Sequence, residues 1–257
     1  MFCANQVDEE FPPEIELSEM TLIVSIKTED SIILVADGMG YTHGDENADI
    51  PYPTIKLYPA NSSWVVGFAG WGGIDVQHTA LKAEIAGGKQ SFSSDIAVGG
   101  HRYIAALKAL IPPSQPASQL TLAGFDSIGR PLVIEATGPN YSTYFPDSIS
   151  ACGVQKTSTL RILNMLSGCC KSNADFRYLA AFSVWLASRH DLKIGKMEDG
   201  YPFSFCILKA GSLPVIEQLE ITPTLARMND GLKSLQDAFA SFLSTSQIAD
   251  SNTSKAR

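Results

Sequence analysis

Thr21-Leu22-Ile23-Val24-Ser25-Ile26 and Ser31-Ile32-Ile33-Leu34-Val35-Ala36 decide the fold. Both are runs of β-branched and apolar residues, the composition of buried strands. Glu29-Asp30 separates them with a turn, so the two segments predict a hairpin with a buried face. Thr21 opens the first strand, and Asp37-Gly38 closes the second. Those two ends can lie side by side in a hairpin, which brings a hydroxyl and a carboxylate together.

Residues 38–53 are polar and contain Gly38, Gly40, Gly44, Pro51 and Pro53, so they read as a long loop. Loops of that length are often functional. Ile55–Tyr58 and Trp64–Ala69 predict a second strand pair. Helices are expected near Asp75–Ile85 and Ser94–Ile111, the latter closed by Pro112-Pro113. A hairpin follows through Leu120–Phe125 and Pro131–Ala136. Two helices are then expected near Gln155–Leu166 and Ala174–Ser188. Strands at Phe203–Lys209 and Val215–Ile221 and a helix near Ala226–Leu243 complete the series. This order departs from βαβ alternation. It predicts an α+β protein, a four-layer αββα sandwich of two antiparallel sheets between helix layers.

The net charge of -8 is unevenly placed. Residues 1–20 hold six acids and no base, and they read as an acidic leader or extension. The remaining 21 acids and 19 bases leave residues 21–257 nearly neutral, and the domain is read as residues 21–245. The polar end, 246–257, is expected to be disordered. With no clustered Lys and Arg, nucleic-acid binding is not indicated. No apolar run approaches the ~20 residues of a membrane span. Five cysteines, an odd number without a CxxC pair, suit free thiols in a reducing cytoplasm. The four histidines show no metal-ligand spacing, and neither metal nor cofactor is expected.

Several segments together carry a resemblance. They are Thr21–Ile26, Leu34-Val35-Ala36-Asp37-Gly38, Lys56-Leu57, Gly67-Phe68-Ala69-Gly70, Leu122–Asp126 with Gly129–Leu132, and Ala187–Asp191 leading to Pro202–Ile207. In order and spacing they resemble the proteasome β subunits and their bacterial relatives, a family of N-terminal nucleophile (Ntn) hydrolases. The resemblance spans roughly residues 20–222. It implies a threonine-type endopeptidase subunit of a self-compartmentalising ring protease, cytoplasmic and homo-oligomeric. The substrate would be a peptide or unfolded protein, and no ATPase partner is specified. A catalytically silent ring or assembly subunit on the same fold is the alternative.

The implied chemistry needs a free α-amine on Thr21. The Thr21 hydroxyl attacks a peptide carbonyl, and the amine, with an ordinary pKa of ~7.7–8.0, takes its proton. By the same resemblance Lys56 keeps positive potential at the site, Asp37 orients Lys56, Gly70 supplies an oxyanion N–H, and Asp191 supports the threonine. The chain also departs from the family pattern. The stretch from Asp37 to Lys56 is about three residues longer than usual, and an alternative register would put Thr54 in the lysine's place. The supporting Gly-Ser-Gly turn is Ala151-Cys152-Gly153 here, and a supporting serine is Ile194.

Each residue alone has a plainer reading. Thr21 is a strand former, Asp37-Gly38 a turn, Lys56 a solvated strand lysine, and Gly67 with Gly70 a place of close backbone packing. His190-Asp191 is not accompanied by a GxSxG motif and reads as a helix-end surface pair.

Overall fold

A computed structural model describes residues 21–43, 49–70, 74–112 and 118–253. Residues 1–20, read as an acidic leader, lie outside the described residues. The elements begin with strands β1 (Leu22–Lys27), β2 (Ser31–Ala36), β3 (Met39–His43), β4 (Asp49–Pro53), β5 (Leu57–Pro59) and β6 (Val65–Ala69). Helices α1 (Ile74–Ala86) and α2 (Ile96–Leu110) follow, then strands β7 (Gln119–Phe125), β8 (Pro131–Thr137), β9 (Ser142–Tyr144) and β10 (Ile149–Gly153). Helices α3 (Lys156–Ser167) and α4 (Asn173–Ser188), strands β11 (Ser204–Lys209) and β12 (Glu217–Gln218), and helix α5 (Ile221–Thr253) complete the chain. No described helix is long and apolar enough to cross a membrane.

The expected four-layer αββα sandwich of two sheets is overturned. The protein is α+β, with three antiparallel sheets and five helices among the described residues. Two sheets are five-stranded, in the orders β10-β1-β2-β11-β12 and β5-β6-β7-β8-β9, and the third is the pair β3-β4. This third sheet occupies residues expected to be loop. Its prolines misled the reading. Pro51 and Pro53 pair with Tyr41 and Met39 in a two-stranded ribbon, where every strand is an edge and a missing N–H can face outward. Helix α5 extends past residue 246, where a disordered tail was expected. It packs on α4, where the Tyr178 hydroxyl donates to the Arg227 carbonyl at 2.9 Å.

Strand alternation sorts the core into three clusters. Leu22, Val24 and Ile26 of β1 face α3 and α4 with Leu163, Phe182 and Trp185. Ile23, on the opposite face, meets Ala69, Ala123 and Val133 between the two large sheets. The other face of the second sheet, with Val66, Leu120 and Ile134, packs on Ile74, Leu81 and Ile104 of α1 and α2. The helix starts are encoded locally. Asp95 caps α2 by accepting from Ala97 N, and Ser172 with Asp175 forms a reciprocal capping box on α4. Strand β10 was not expected, because Ile149-Ser150-Ala151-Cys152-Gly153 lacks the bulky residues of a typical strand. Small side chains suit it, since it is covered on both faces at the edge of β1.

The α1–α2 core contains a pH-sensitive group. His78 is buried, and its Nδ1 lies 2.7 Å from the Tyr103 hydroxyl. Burial, reinforced by the charge of Lys82, lowers its pKa to about 4. The folded protein therefore keeps His78 neutral, while the unfolded chain protonates it as pH falls through about 6.5. Stability is lost between pH 6.5 and 4 and no further below, by about 3 kcal/mol. Urea unfolding across that range should show a clearly shallower pH dependence in His78→Gln; an unchanged slope would contradict the assignment.

Candidate active site

The β1–β2 hairpin places Thr21 and Asp37 at one end of neighbouring strands. Asp37 N–H donates to Leu22 O, and Leu22 N–H donates back to Asp37 Oδ1 at 2.8 Å. Lys56 arrives from the segment before β5. Its Nζ donates to Thr21 Oγ1 at 2.6 Å and to the two Asp37 carboxylate oxygens at 3.1 and 3.0 Å. All three residues are buried, Asp37 completely and Lys56 to 7% exposure. Burial lowers the Lys56 pKa, and Asp37 opposes that shift by charge and hydrogen bonding. The result is an ammonium that gives up a proton more readily than a surface lysine, held against the threonine oxygen. Thr54, the alternative in the other register, points its hydroxyl at Ile55 O.

Asp37 is held by more groups than the sequence indicated. Met39 N–H and Gly195 N–H also donate to its Oδ2, at 3.3 and 3.0 Å. A Cβ on Gly195 would lie 2.4 Å from Met39 Cβ, so only glycine lets that backbone approach the carboxylate. No local motif marks Gly195; the contact joins residues 158 apart.

The wall behind Thr21 is the end of β10. Gly153 pairs with Leu22, and Val154 N–H donates to Thr21 O at 2.9 Å. Gln119, also not singled out from sequence, fixes this turn. Its Oε1 accepts from Gly153 N–H at 2.9 Å and from the Cys152 thiol at 3.3 Å. Gly70 follows Ala69, whose Cβ lies 3.4 Å from the point a Cβ on Gly153 would occupy. Gly70 itself has φ +109°.

The structure groups Thr21, Asp37 and Lys56. Asp191 makes two hydrogen bonds. Its carboxylate accepts from Lys193 N–H at 2.9 Å and from Gln155 Nε2 at 3.1 Å. Ile194 is buried in the apolar cluster beneath α4, so the position expected to carry a supporting hydroxyl carries a hydrocarbon.

The fold is shared with Anbu proteins. A structure of Anbu, the "ancestral beta-subunit", from Yersinia bercovieri matches with a TM-score of 0.68 and 14% identity, over 85% of this chain and 96% of that one. An Anbu (Gly-1) mutant from Hyphomicrobium sp. strain MC1 matches with a TM-score of 0.66 and 14% identity, over 86% and 97%. The helical assembly of the Anbu complex from Pseudomonas aeruginosa matches with a TM-score of 0.67 and 13% identity, over 85% and 95%. No family model matches the chain, and no curated protein does. The assignment to the proteasome β-subunit and bacterial proteasome-like Ntn hydrolase family is therefore corrected. At these identities, what is shared with Anbu is a fold.

Proposed function

We propose that this chain is a proteasome-related subunit that assembles with further copies of itself, and that its Thr21 group is hydrolytically silent while Met20 remains joined to Thr21. The likeness to Anbu structures along 85–86% of the chain, one of them a helical assembly, supports self-association. Silence follows from chemistry. A peptide nitrogen is no general base, so a Thr21 acylated by Met20 lacks the amine that would accept the hydroxyl proton. The engagement of Asp191 by Gln155 and Lys193, and the hydrocarbon of Ile194, favour the same reading.

The test uses the full chain, with its N-terminus verified by intact mass. Light scattering should give a particle many times the 27.7 kDa chain, and a threonine-reactive epoxyketone should leave the mass unchanged. A monomer at micromolar concentration, or adduct formation on a chain still starting at Met1, would overturn the proposal.

One observation favours a second reading, a threonine-type endopeptidase released by cleavage of the Met20–Thr21 bond: the 2.6 Å contact between Lys56 Nζ and Thr21 Oγ1. In that form the new amine takes the Oγ1 proton as the oxygen attacks a peptide carbonyl. The leaving amine receives the proton, and water then clears the ester. Lys56, kept in place by Asp37, stabilises the developing alkoxide. The substrate would be a peptide or unfolded chain. Chains beginning at Thr21 that hydrolyse peptides would establish it, with Thr21→Ala as the inactive control.

A further inference from the structure

A second buried polar group lies between the two five-stranded sheets, and the chemistry at Thr21 makes no use of it. Glu135 of β8 is 4% exposed. It pairs with Thr121 on β7 and with Tyr144 on β9. It lies on the same face as Val133, which places it in the space between the sheets. Its Oε2 accepts from the Tyr144 hydroxyl, and its Oε1 has no hydrogen-bond partner in the protein. Thr121 Oγ1, 1% exposed on the paired residue, is also without one. From the facing sheet comes Ser150, 4% exposed, whose Oγ lies 2.5 Å from Ser25 Oγ.

A buried carboxylate must be neutralised, by a proton, a side-chain cation or a bound ion. No lysine forms an ion pair with Glu135 among the described residues. Lys27 Nζ is committed to Pro146 O at 2.7 Å, and Lys156 is exposed at the start of α3. Burial pushes the Glu135 pKa up to about 7, against opposing pulls from a Ser150 hydrogen bond and the Lys156 charge. Around and above that pH the carboxylate is ionised beside a second unpartnered oxygen. All the donors are hard oxygens, which suit neither zinc nor copper, and they carry a single negative charge.

We propose that Glu135 Oε1, Thr121 Oγ1 and Ser150 Oγ line an internal site for one alkali cation, held between the two large sheets. A monovalent ion leaves the group neutral. Ser25 holds Ser150 from behind. Tyr144, half-exposed on the edge strand β9, donates to the other carboxylate oxygen, Oε2.

The experiment compares melting of the full chain at about pH 8 in sodium, potassium and choline chloride of equal ionic strength. A bound cation raises Tm by about 4 °C in at least one alkali salt relative to choline. The rise should fade as pH falls through about 7. Glu135→Gln should abolish the salt response yet melt no lower than the parent in choline, since it removes an uncompensated buried charge. Crystals soaked in thallous acetate should show an anomalous peak bonded to Glu135 Oε1 and Thr121 Oγ1. Equal melting in all three salts would overturn the site and leave the proton as the neutralising species. So would a salt response surviving in Glu135→Gln.

Discussion

Replacing Lys56 with methionine is expected to destabilise the protein by about 3 kcal/mol or more, because it leaves the fully buried Asp37 carboxylate without its counter-charge. For a chain of this size that is a fall in Tm of roughly 6–12 °C. Methionine keeps most of the lysine's volume, so lost packing contributes little. Asp37 retains the N–H groups of Leu22, Met39 and Gly195, which keeps the loss at the lower end for a broken buried pair. The second substitution in a cycle separates the causes. Asp37→Asn removes the orphaned charge at constant shape, so the double variant should recover part of what Lys56→Met loses. A double variant with the two losses simply summed would mean that charge coupling is not what holds Lys56 against Asp37.

Gly153→Ala should be among the most damaging substitutions of a single methyl group at the described glycines. Gly153 has φ +101°, and its Cβ would stand 1.9 Å from the Thr21 carbonyl oxygen. Backbone strain alone costs about 1–2 kcal/mol. The overlap is with backbone, so relief requires β10 to move away from β1, breaking the Val154-to-Thr21 hydrogen bond. A combined loss of about 4 kcal/mol or more is expected, enough to unfold a marginal domain. Gly200 supplies the control: it has φ +92° and nothing within 4 Å of its would-be Cβ. Gly200→Ala should cost only the strain. Chemical denaturation of both variants checks the difference; equal losses would show that the approach of Gly153 to Thr21 is not tight.

Much of the fold could be read because its strands are unambiguous. β1, β2, β6, β7, β8 and β11 are apolar, β-branched and bounded by turn residues, and the amphipathic helices between them follow the 3.6-residue period. What escaped the reading depended on partners distant in sequence. β10 is a strand because β1 lies beside it, despite its small residues. β4 is a strand because β3 supplies its only ladder, so its prolines do no harm. β12 shrinks to Glu217–Gln218 at a sheet edge, although Val215–Ile221 has strand composition. The site divides the same way. Thr21 and Asp37 belong to one hairpin and can be inferred from it, whereas Gly195 and Gln119 act through contacts no local pattern announces. The third sheet is why the layered description from sequence did not hold.

The Thr54 N–H to Gly38 O hydrogen bond, 2.8 Å long, clamps the base of the β3–β4 ribbon. Asp37 and Lys56 stand immediately outside that clamp, while Met39 N–H and the Tyr41 hydroxyl tie the ribbon back to Asp37 Oδ2 and to Leu192 O. The clamp, and not the number of residues between them, sets how far apart the acid and the lysine lie. The linear gap between them therefore carries no information about their separation in space.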